Sequence, residues 1–243
     1  MDEAVALAYQ LLRAQQEWKN SKSGLVYQHI LPYPTAYAPW LDDAEFMAVY
    51  NSIKPLTLVD VYRCYELWSM AKQLGNVEGN VLEVGVWRGG TAAILAQALK
   101  TAAPEKMLYL ADTFTGVVKS GQNDTHYTDH EHADTSVDLV RQLMKAISFD
   151  SYAILQCIFP DENQDKVQGP IALLHCDVDV YQSAKDVFYW CLPHLKVGST
   201  VVFDDYGCMY TGGVTKLCNE LRALTDFRFV YNLNGHAIFV KIR

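Results

Sequence analysis

Short apolar runs alternating with helical segments constrain this chain more than any other feature. The runs are NVLEVGV (80–86), MLYLAD (107–112), SYAILQCI (151–158), IALLHCDV (171–178) and STVVFDD (199–205). Helix-forming stretches fall between them: TAAILAQALK after the first, then about 136–147, 183–195 and 213–224. Strands that are apolar at nearly every position are buried on both faces, and the intervening helices supply the cover. The fold class that follows is α/β, a Rossmann-like, mostly parallel sheet with helices on both faces. The C-terminal end departs from this pattern. FRFVYNL and HAIFVKI flank Asn234-Gly235, a dipeptide that favours a two-residue type I′ turn. These last two strands are expected to be antiparallel to each other, so one of them breaks the parallel order.

The N-terminal part reads differently. MDEAVALAYQLLRAQQEWK has the spacing of an amphipathic helix, whereas LVYQHILPYPTAYAPW (25–40) carries three prolines and three tyrosines. Proline fixes φ and removes backbone donors, so this second stretch is an irregular arm. LTLVDVYRCYELWSMAKQL (56–74) has apolar residues at 58, 61, 62, 65 and 68, which predicts a helix with Asp60, Arg63 and Glu66 turned outward. The division expected is a helical arm over 1–55, available for acceptor and subunit contacts, and a catalytic domain over 56–243.

The formal charge of −8 leaves no basic stripe of the kind a nucleic-acid groove needs. No apolar run approaches the ~20 residues required to span a bilayer. The N-terminus lacks the basic segment of a signal peptide. The six cysteines (Cys64, Cys157, Cys176, Cys191, Cys208, Cys218) form no C-x-x-C pair, which predicts reduced, buried thiols in a cytoplasmic protein.

VLEVGVWRGGTA resembles a phosphate-binding loop at first sight. A dinucleotide fingerprint needs a middle glycine where the backbone approaches the pyrophosphate, and Trp87 stands there instead. No Gly-Lys-Ser/Thr follows, so a P-loop is excluded. What remains is Glu83, Gly85 and Gly89, an acid-x-Gly-x-x-x-Gly turn suited to a ligand without a diphosphate. Glu83 can hold a cation or a ligand amine. Asp112, at the end of the next strand, is placed for ribose hydroxyls. Together they point to S-adenosylmethionine, with Glu83, Gly85, Val86, Trp87, Gly89, Asp112, Thr113 and Asp177 as candidate cofactor contacts.

Two further strands end in paired acids: Asp177 and Asp179, then Asp204 and Asp205. Ligands of open α/β sheets gather at the carboxyl ends of strands. One crossover helix separates the pairs, so the strands can be neighbours. Residues two apart on a strand share a face, which directs Asp177 and Asp179 the same way. Four carboxylates in one cleft repel unless a cation is present, and oxygen ligands suit Mg²⁺. Such an ion can bind acceptor hydroxyls, with a nearby carboxylate as general base. The competing account is that these acids cap helices, with Asp179 or Ser183 at the start of the helix after 183.

In chain order, LEVGVWRGG, ADTFTG, FPDE, DVDVYQS and VVFDDYG resemble the macrocin O-methyltransferase family, whose members methylate antibiotic sugars. The likeness covers about residues 55 to 225. It implies a class I methyltransferase fold whose seven-stranded sheet has a reversed last strand. It also implies S-adenosylmethionine and Mg²⁺ as cofactors, and a sugar hydroxyl of a natural product as acceptor. The metal aspartates correspond to Asp177, Asp204 and Asp205, and the general base to Asp179, so that Asp177 and Asp179 form the catalytic pair. Donor-site residues correspond to Glu83, Gly85 and Asp112. The chain departs from the family at His175, Cys176 and Val178, where Arg, Leu and Gly are usual, and at Cys157-Ile158, where a glycine precedes Phe-Pro-Asp. These differences bear on the acceptor. Other functions compatible with the residues are methylation of a catechol or phenol, or cofactor binding without catalysis.

The stretch 116–136 is long, polar and follows the proposed ribose acid, as a lid over the acceptor would. His126, His130 and His132 with Asp129 offer a transition-metal set, or a solvated surface. Self-association as a homodimer or larger homo-oligomer is expected, with no nucleic-acid or membrane partner.

Overall fold

The computed structural model describes residues 3–13, 18–22, 24–27, 37–232 and 234–243. The centre of the proline/tyrosine arm, residues 28–36, lies outside the described residues. In chain order the elements are α1 (Glu3–Arg13), β1 (Trp18–Lys19), β2 (Val26–Tyr27), α2 (Ala44–Ile53), α3 (Val61–Lys72), β3 (Asn80–Val84) and α4 (Gly90–Ala102). They continue with β4 (Leu108–Asp112), α5 (Val137–Ile147), β5 (Tyr152–Gln156), β6 (Ile171–Cys176), α6 (Tyr181–Cys191), β7 (Leu195–Phe203), α7 (Gly212–Leu221), β8 (Phe227–Tyr231) and β9 (Ala237–Lys241).

The seven-stranded sheet runs in the order β5-β4-β3-β6-β7-β9-β8. β3, β4, β5, β6 and β7 pair in parallel, and β9 runs antiparallel to both β7 and β8. The order reverses direction between β3 and β6, so the crevice expected for a ligand opens beside those two strands. β6 is buried at every position because both faces are covered. On one face Phe46, Ile53, Leu67, Trp68 and the apolar side of α4 form a core with Leu173 and Val202. On the other, Phe188, Leu217 and Phe227 pack with Leu82, Leu174 and Phe203. α2 is thus rooted in the same core as the strands. Burial at this density, at roughly 25 cal/mol per Å² of apolar surface, is the main stabilising term.

Three local expectations need correction. The buried side of α3 is Cys64, Leu67, Trp68 and Ala71, whereas Leu58 and Tyr62 are exposed. Arg63 and Glu66 therefore do not face water; they turn toward the strand ends. The helix expected to reach residue 195 stops at Cys191 and a 3₁₀ turn follows, because Pro193 cannot supply the next backbone donor. β7 accordingly starts at Leu195. The last hairpin has no two-residue type I′ turn. Strand pairing ends at Tyr231 and Ala237, so five residues rather than two lie between the strands, and Gly235 has φ 101°. The six cysteines are free, and all but Cys208, which is half-buried, are buried as expected.

Gly85 fixes how closely β3 and β6 approach at the crevice. It sits at φ 89°, and a Cβ there would lie 1.6 Å from the carbonyl oxygen of Asp177. Gly85→Ala is therefore expected to lower the unfolding free energy by more than about 2 kcal/mol. Urea denaturation checks this, and a midpoint equal to that of the parent chain would refute the close approach.

Candidate active site

The turn after β3 is built from backbone amides gathered by one carboxylate. Asp112 Oδ2 accepts from the amides of Val86 (2.7 Å) and Trp87 (2.8 Å), and Oδ1 accepts from Phe114 (2.6 Å). Asp112, expected at ribose hydroxyls, thus knits the ends of β3 and β4 together and keeps limited acceptor capacity toward the cavity. Gly89, at φ 85°, starts α4 without a side-chain cap. Gly85, Val86, Trp87, Asp112, Thr113 and Asp177 all line one cavity at the strand ends. Two candidate cofactor residues do not line it. Gly89 faces Val140 and Leu143 of α5. Glu83 is fully buried below the floor, where Oε1 lies 2.9 Å from His175 Nδ1.

The acids face this turn across the cavity. β6 ends at Cys176, so strand alternation does not orient Asp177 and Asp179 as expected. Asp179 instead adopts φ 63° and Asp205 φ 62°, left-handed conformations that aspartate tolerates better than most residues. The two turns bring the carboxylates of Asp177, Asp179 and Asp205 within 4.8 Å of one another. Asp204 points elsewhere. Its Oδ2 meets the Arg63 guanidinium, and its Oδ1 lies 2.9 Å from His236 Nε2. Arg63 also reaches Asp205 at 3.2 Å and Asp60 at 2.9 Å.

The charges respond to this arrangement. Burial, then repulsion from the neighbouring carboxylates, holds Asp177 and Asp179 well above the usual carboxylate range. Burial and the Asp204 charge push Asp205 up to about 6, with Arg63 resisting. Burial also opposes ionisation of Asp204, but His236 and Arg63 outweigh it and hold that carboxyl at about 2. The trio is therefore a site short of positive charge, as a divalent cation would require. Helix capping does not account for these acids. Asp124, from the 116–136 segment, accepts from the Tyr181 amide at the start of α6 (2.9 Å), and Ser183 donates to the Val118 carbonyl.

The 116–136 segment lines the cavity through Gly116, Val117, Val118, Tyr127 and His132. It is tied down by Lys119, which pairs with Asp161 (2.8 Å) and Asp186 (2.7 Å). Among the described residues His126, His130, His132 and Asp129 do not form a metal-ligand group; Asp129 accepts from the Ser120 amide instead. Burial and the nearby aspartates, Asp179 foremost, push the Tyr127 phenol up, so it stays protonated, and its hydroxyl lies 3.3 Å from His132 Nε2.

The model of the macrocin-O-methyltransferase (TylF) family matches residues 56–237. The chain belongs to this family. A curated relative is the 8-demethyl-8-(2,3-dimethoxy-alpha-L-rhamnosyl)-tetracenomycin-C 4'-O-methyltransferase of Streptomyces olivaceus, 29% identical over 54% of each chain. Another is the mycinamicin III 3''-O-methyltransferase of Micromonospora griseorubida, 32% identical over 54% of this chain and 56% of the relative. The chain spans about half the length of the curated relatives it matches. Among solved structures the O-methyltransferase NovP superposes with a TM-score of 0.67 at 22% identity, covering 77% of this chain and 83% of NovP, which establishes a shared fold.

Within this family member, sequence patterns alone missed Arg63, Glu66, His236 and Tyr127. Glu66 accepts from Asn232 Nδ2 (2.9 Å), Asn234 Nδ2 (3.1 Å) and lies 2.6 Å from His236 Nδ1. The available signal was i, i+3 spacing: Asp60, Arg63 and Glu66 form one polar stripe, which a surface helix and a helix facing an acidic crevice share. Removing one member of a buried ion pair leaves the other uncompensated. Arg63→Met is expected to lower unfolding free energy by about 3–5 kcal/mol in metal-free buffer. Equal denaturation midpoints for R63M and the parent would show that Arg63 does not balance these acids.

Proposed function

We propose that this chain is an S-adenosylmethionine- and Mg²⁺-dependent O-methyltransferase acting on a sugar hydroxyl of a natural product. The observation that carries the proposal is the cluster of Asp177, Asp179 and Asp205 facing the glycine turn across one cavity in a member of this family. The donor fits between Val86, Trp87 and Thr113 on one wall and Asp177 on the other. The rhamnosyl substrate in the name of the tetracenomycin relative supports a sugar acceptor. Asp177 and Asp205 would hold the ion. They belong both to the family pattern and to the geometric group, whereas Asp204 is engaged by Arg63 and His236. A bound divalent cation supplies the charge that lets these carboxylates ionise together and acidifies a neighbouring hydroxyl.

Asp179 then accepts the acceptor proton. It is within the cluster and unused for capping, and Tyr127 lines the same cavity. Tyr127 and His132 limit water at the cavity mouth. Most of the rate arises from holding hydroxyl and methyl in line and from neutralising charge at the site. Residues 1–55 carry acceptor and subunit contacts ahead of the catalytic domain at 56–243, with α2 anchoring this part in that domain's core. In support, the family match begins at residue 56, and Val5, Leu7 and Leu11 leave an apolar face on α1 exposed. The enzyme works in the cytoplasm as a homo-oligomer; in the described residues no helix is long and apolar enough to cross a membrane.

Asp205→Asn is expected to reduce methyl transfer by at least about 10²-fold while donor affinity, read by calorimetry, stays within a few-fold. Normal turnover by D205N on a panel of glycosides would defeat the metal role, and transfer to catechols alone would defeat the acceptor class. Mg²⁺ binding should also release protons at neutral pH. Burial and mutual repulsion raise Asp177 and Asp179 and push Asp205 up to about 6, so the ion competes with protons at these carboxylates. Affinity therefore rises with pH. Titrations in two buffers of different ionisation enthalpy measure the release, and identical heats would contradict it.

A further inference from the structure

The loop between β8 and β9 is tied to both neighbours of Asp205. On one side, His236 Nε2 lies 2.9 Å from Asp204 Oδ1. On the other, the Gly235 carbonyl accepts from the Tyr206 amide at 2.6 Å. Gly235 also lies against Arg63, whose Cδ would stand 3.5 Å from a Cβ there, and Arg63 reaches both aspartates. Asp205 sits between these ties in a left-handed conformation, φ 62°. Such a conformation in a residue other than glycine persists only where the surroundings hold it. The Cys208 amide and the Thr211 hydroxyl hold the Asp205 carbonyl, at 3.0 and 2.9 Å. The loop holds the residues before and after it.

One side chain of α3 in turn holds the loop. Glu66 accepts from Asn232 Nδ2 through both oxygens, at 2.9 and 3.0 Å. Its Oε2 also accepts from Asn234 Nδ2 (3.1 Å) and lies 2.6 Å from His236 Nδ1. The first, third and last residues of the loop thus converge on one carboxylate, which is only 24% exposed. Burial opposes a charge on the His236 ring, but Asp204 and Glu66 outweigh it and raise the ring, which links the two carboxylates. A plain anchor between α3 and the hairpin is the simpler account, and such an anchor could end anywhere on β7 or β9. This one ends at the side chain of Asp204 and the amide of Tyr206, so any shift of Glu66 is passed to Asp205 from both directions.

We propose that Glu66 is a positioning residue for divalent-ion binding: it holds the 232–236 loop, and the loop sets the turn that presents Asp205 beside Asp177 and Asp179. This rests on the Mg²⁺ reading of the cavity acids and adds to it a control point on α3 that does not itself line the cavity. Partners that orient a metal's ligands from behind are typically worth about 10–100-fold in metal affinity.

Full-length E66A should therefore bind Mn²⁺, the probe for this site, about 10–100-fold more weakly than the parent, read from the paramagnetic-resonance signal of the free ion. Its affinity for S-adenosylmethionine, read by calorimetry, should stay within a few-fold. E66Q, which keeps an acceptor oxygen at the same reach, should fall between E66A and the parent. Asn234→Ala, which removes one tie from the loop's side, should weaken Mn²⁺ in the same direction. The Tyr206 amide should exchange with solvent at least about 10-fold faster in E66A, while amides of β3 and β6 keep their rates. Equal Mn²⁺ affinity in E66A and the parent, or unchanged Tyr206 exchange, would overturn the role of Glu66 and leave the Mg²⁺ reading standing. Equal losses of ion and donor affinity would overturn it as well, by reducing Glu66 to a general structural tie. A parent chain that takes up no Mn²⁺ would defeat the Mg²⁺ reading and this role with it.

Discussion

Crowding of negative charge at the ends of β6 and β7 governs this structure. Strands at the middle of a covered sheet must be apolar, yet their ends carry Asp177, Asp179, Asp204 and Asp205. Each carboxylate loses hydration there and meets others of the same sign. The protein divides the problem in two. Asp204 is taken backward, to Arg63 and His236, and is held ionised. Asp177, Asp179 and Asp205 are left forward in the cavity, with their ionisation suppressed until charge arrives. Two adjacent aspartates, separated by one peptide bond, therefore have opposite electrostatic roles.

That division explains which features were legible in the sequence. The sheet was legible because β4, β6 and the end of β7 (201–203) are apolar runs, β3 carries Val81, Leu82 and Val84, and each is followed by a helical period. The crevice was legible because the acids end those runs. What could not be read was the direction of each acid. Alternation along a strand predicts Asp177 and Asp179 on one face, but β6 ends at Cys176 and a left-handed residue at Asp179 does the positioning. The same limit applies to α3. Its polar stripe of Asp60, Arg63 and Glu66 has the spacing of a solvated face, and only the tertiary position over the strand ends converts it into a source of countercharge. His175 stood out as a departure from the family motif, but its partner His236 lies some 60 residues away within a hairpin, at a separation that no local period reports.

Glycines and asparagines carry more positional information than their turn propensities suggest. Gly85 serves as a contact residue: the absence of a side chain lets the Asp177 carbonyl fill the space that Cβ would occupy. Asn234-Gly235 resembles a tight hairpin turn by composition. In the folded chain Asn232 and Asn234 donate to Glu66, and the wider loop brings His236 to Asp204. A two-residue turn would have paired the strands through these positions and left Glu66 without them. Local turn chemistry was overridden because satisfying a half-buried carboxylate is worth more than the few tenths of a kcal/mol that separate turn types.

The covering segment and the proposed base are mechanically joined. Asp124 leaves the 116–136 segment to accept from the Tyr181 amide, two residues beyond Asp179. Its other oxygen accepts from Gly121, which fixes the carboxylate with respect to its own segment. The place where Asp124 reaches α6 is also where a Cβ on Gly213 would stand, so α7 yields space to the same contact. Displacing the segment removes the cap from α6, two residues beyond Asp179. The segment that lines the cavity is thereby tied to the start of α6, beside the cluster of Asp177, Asp179 and Asp205.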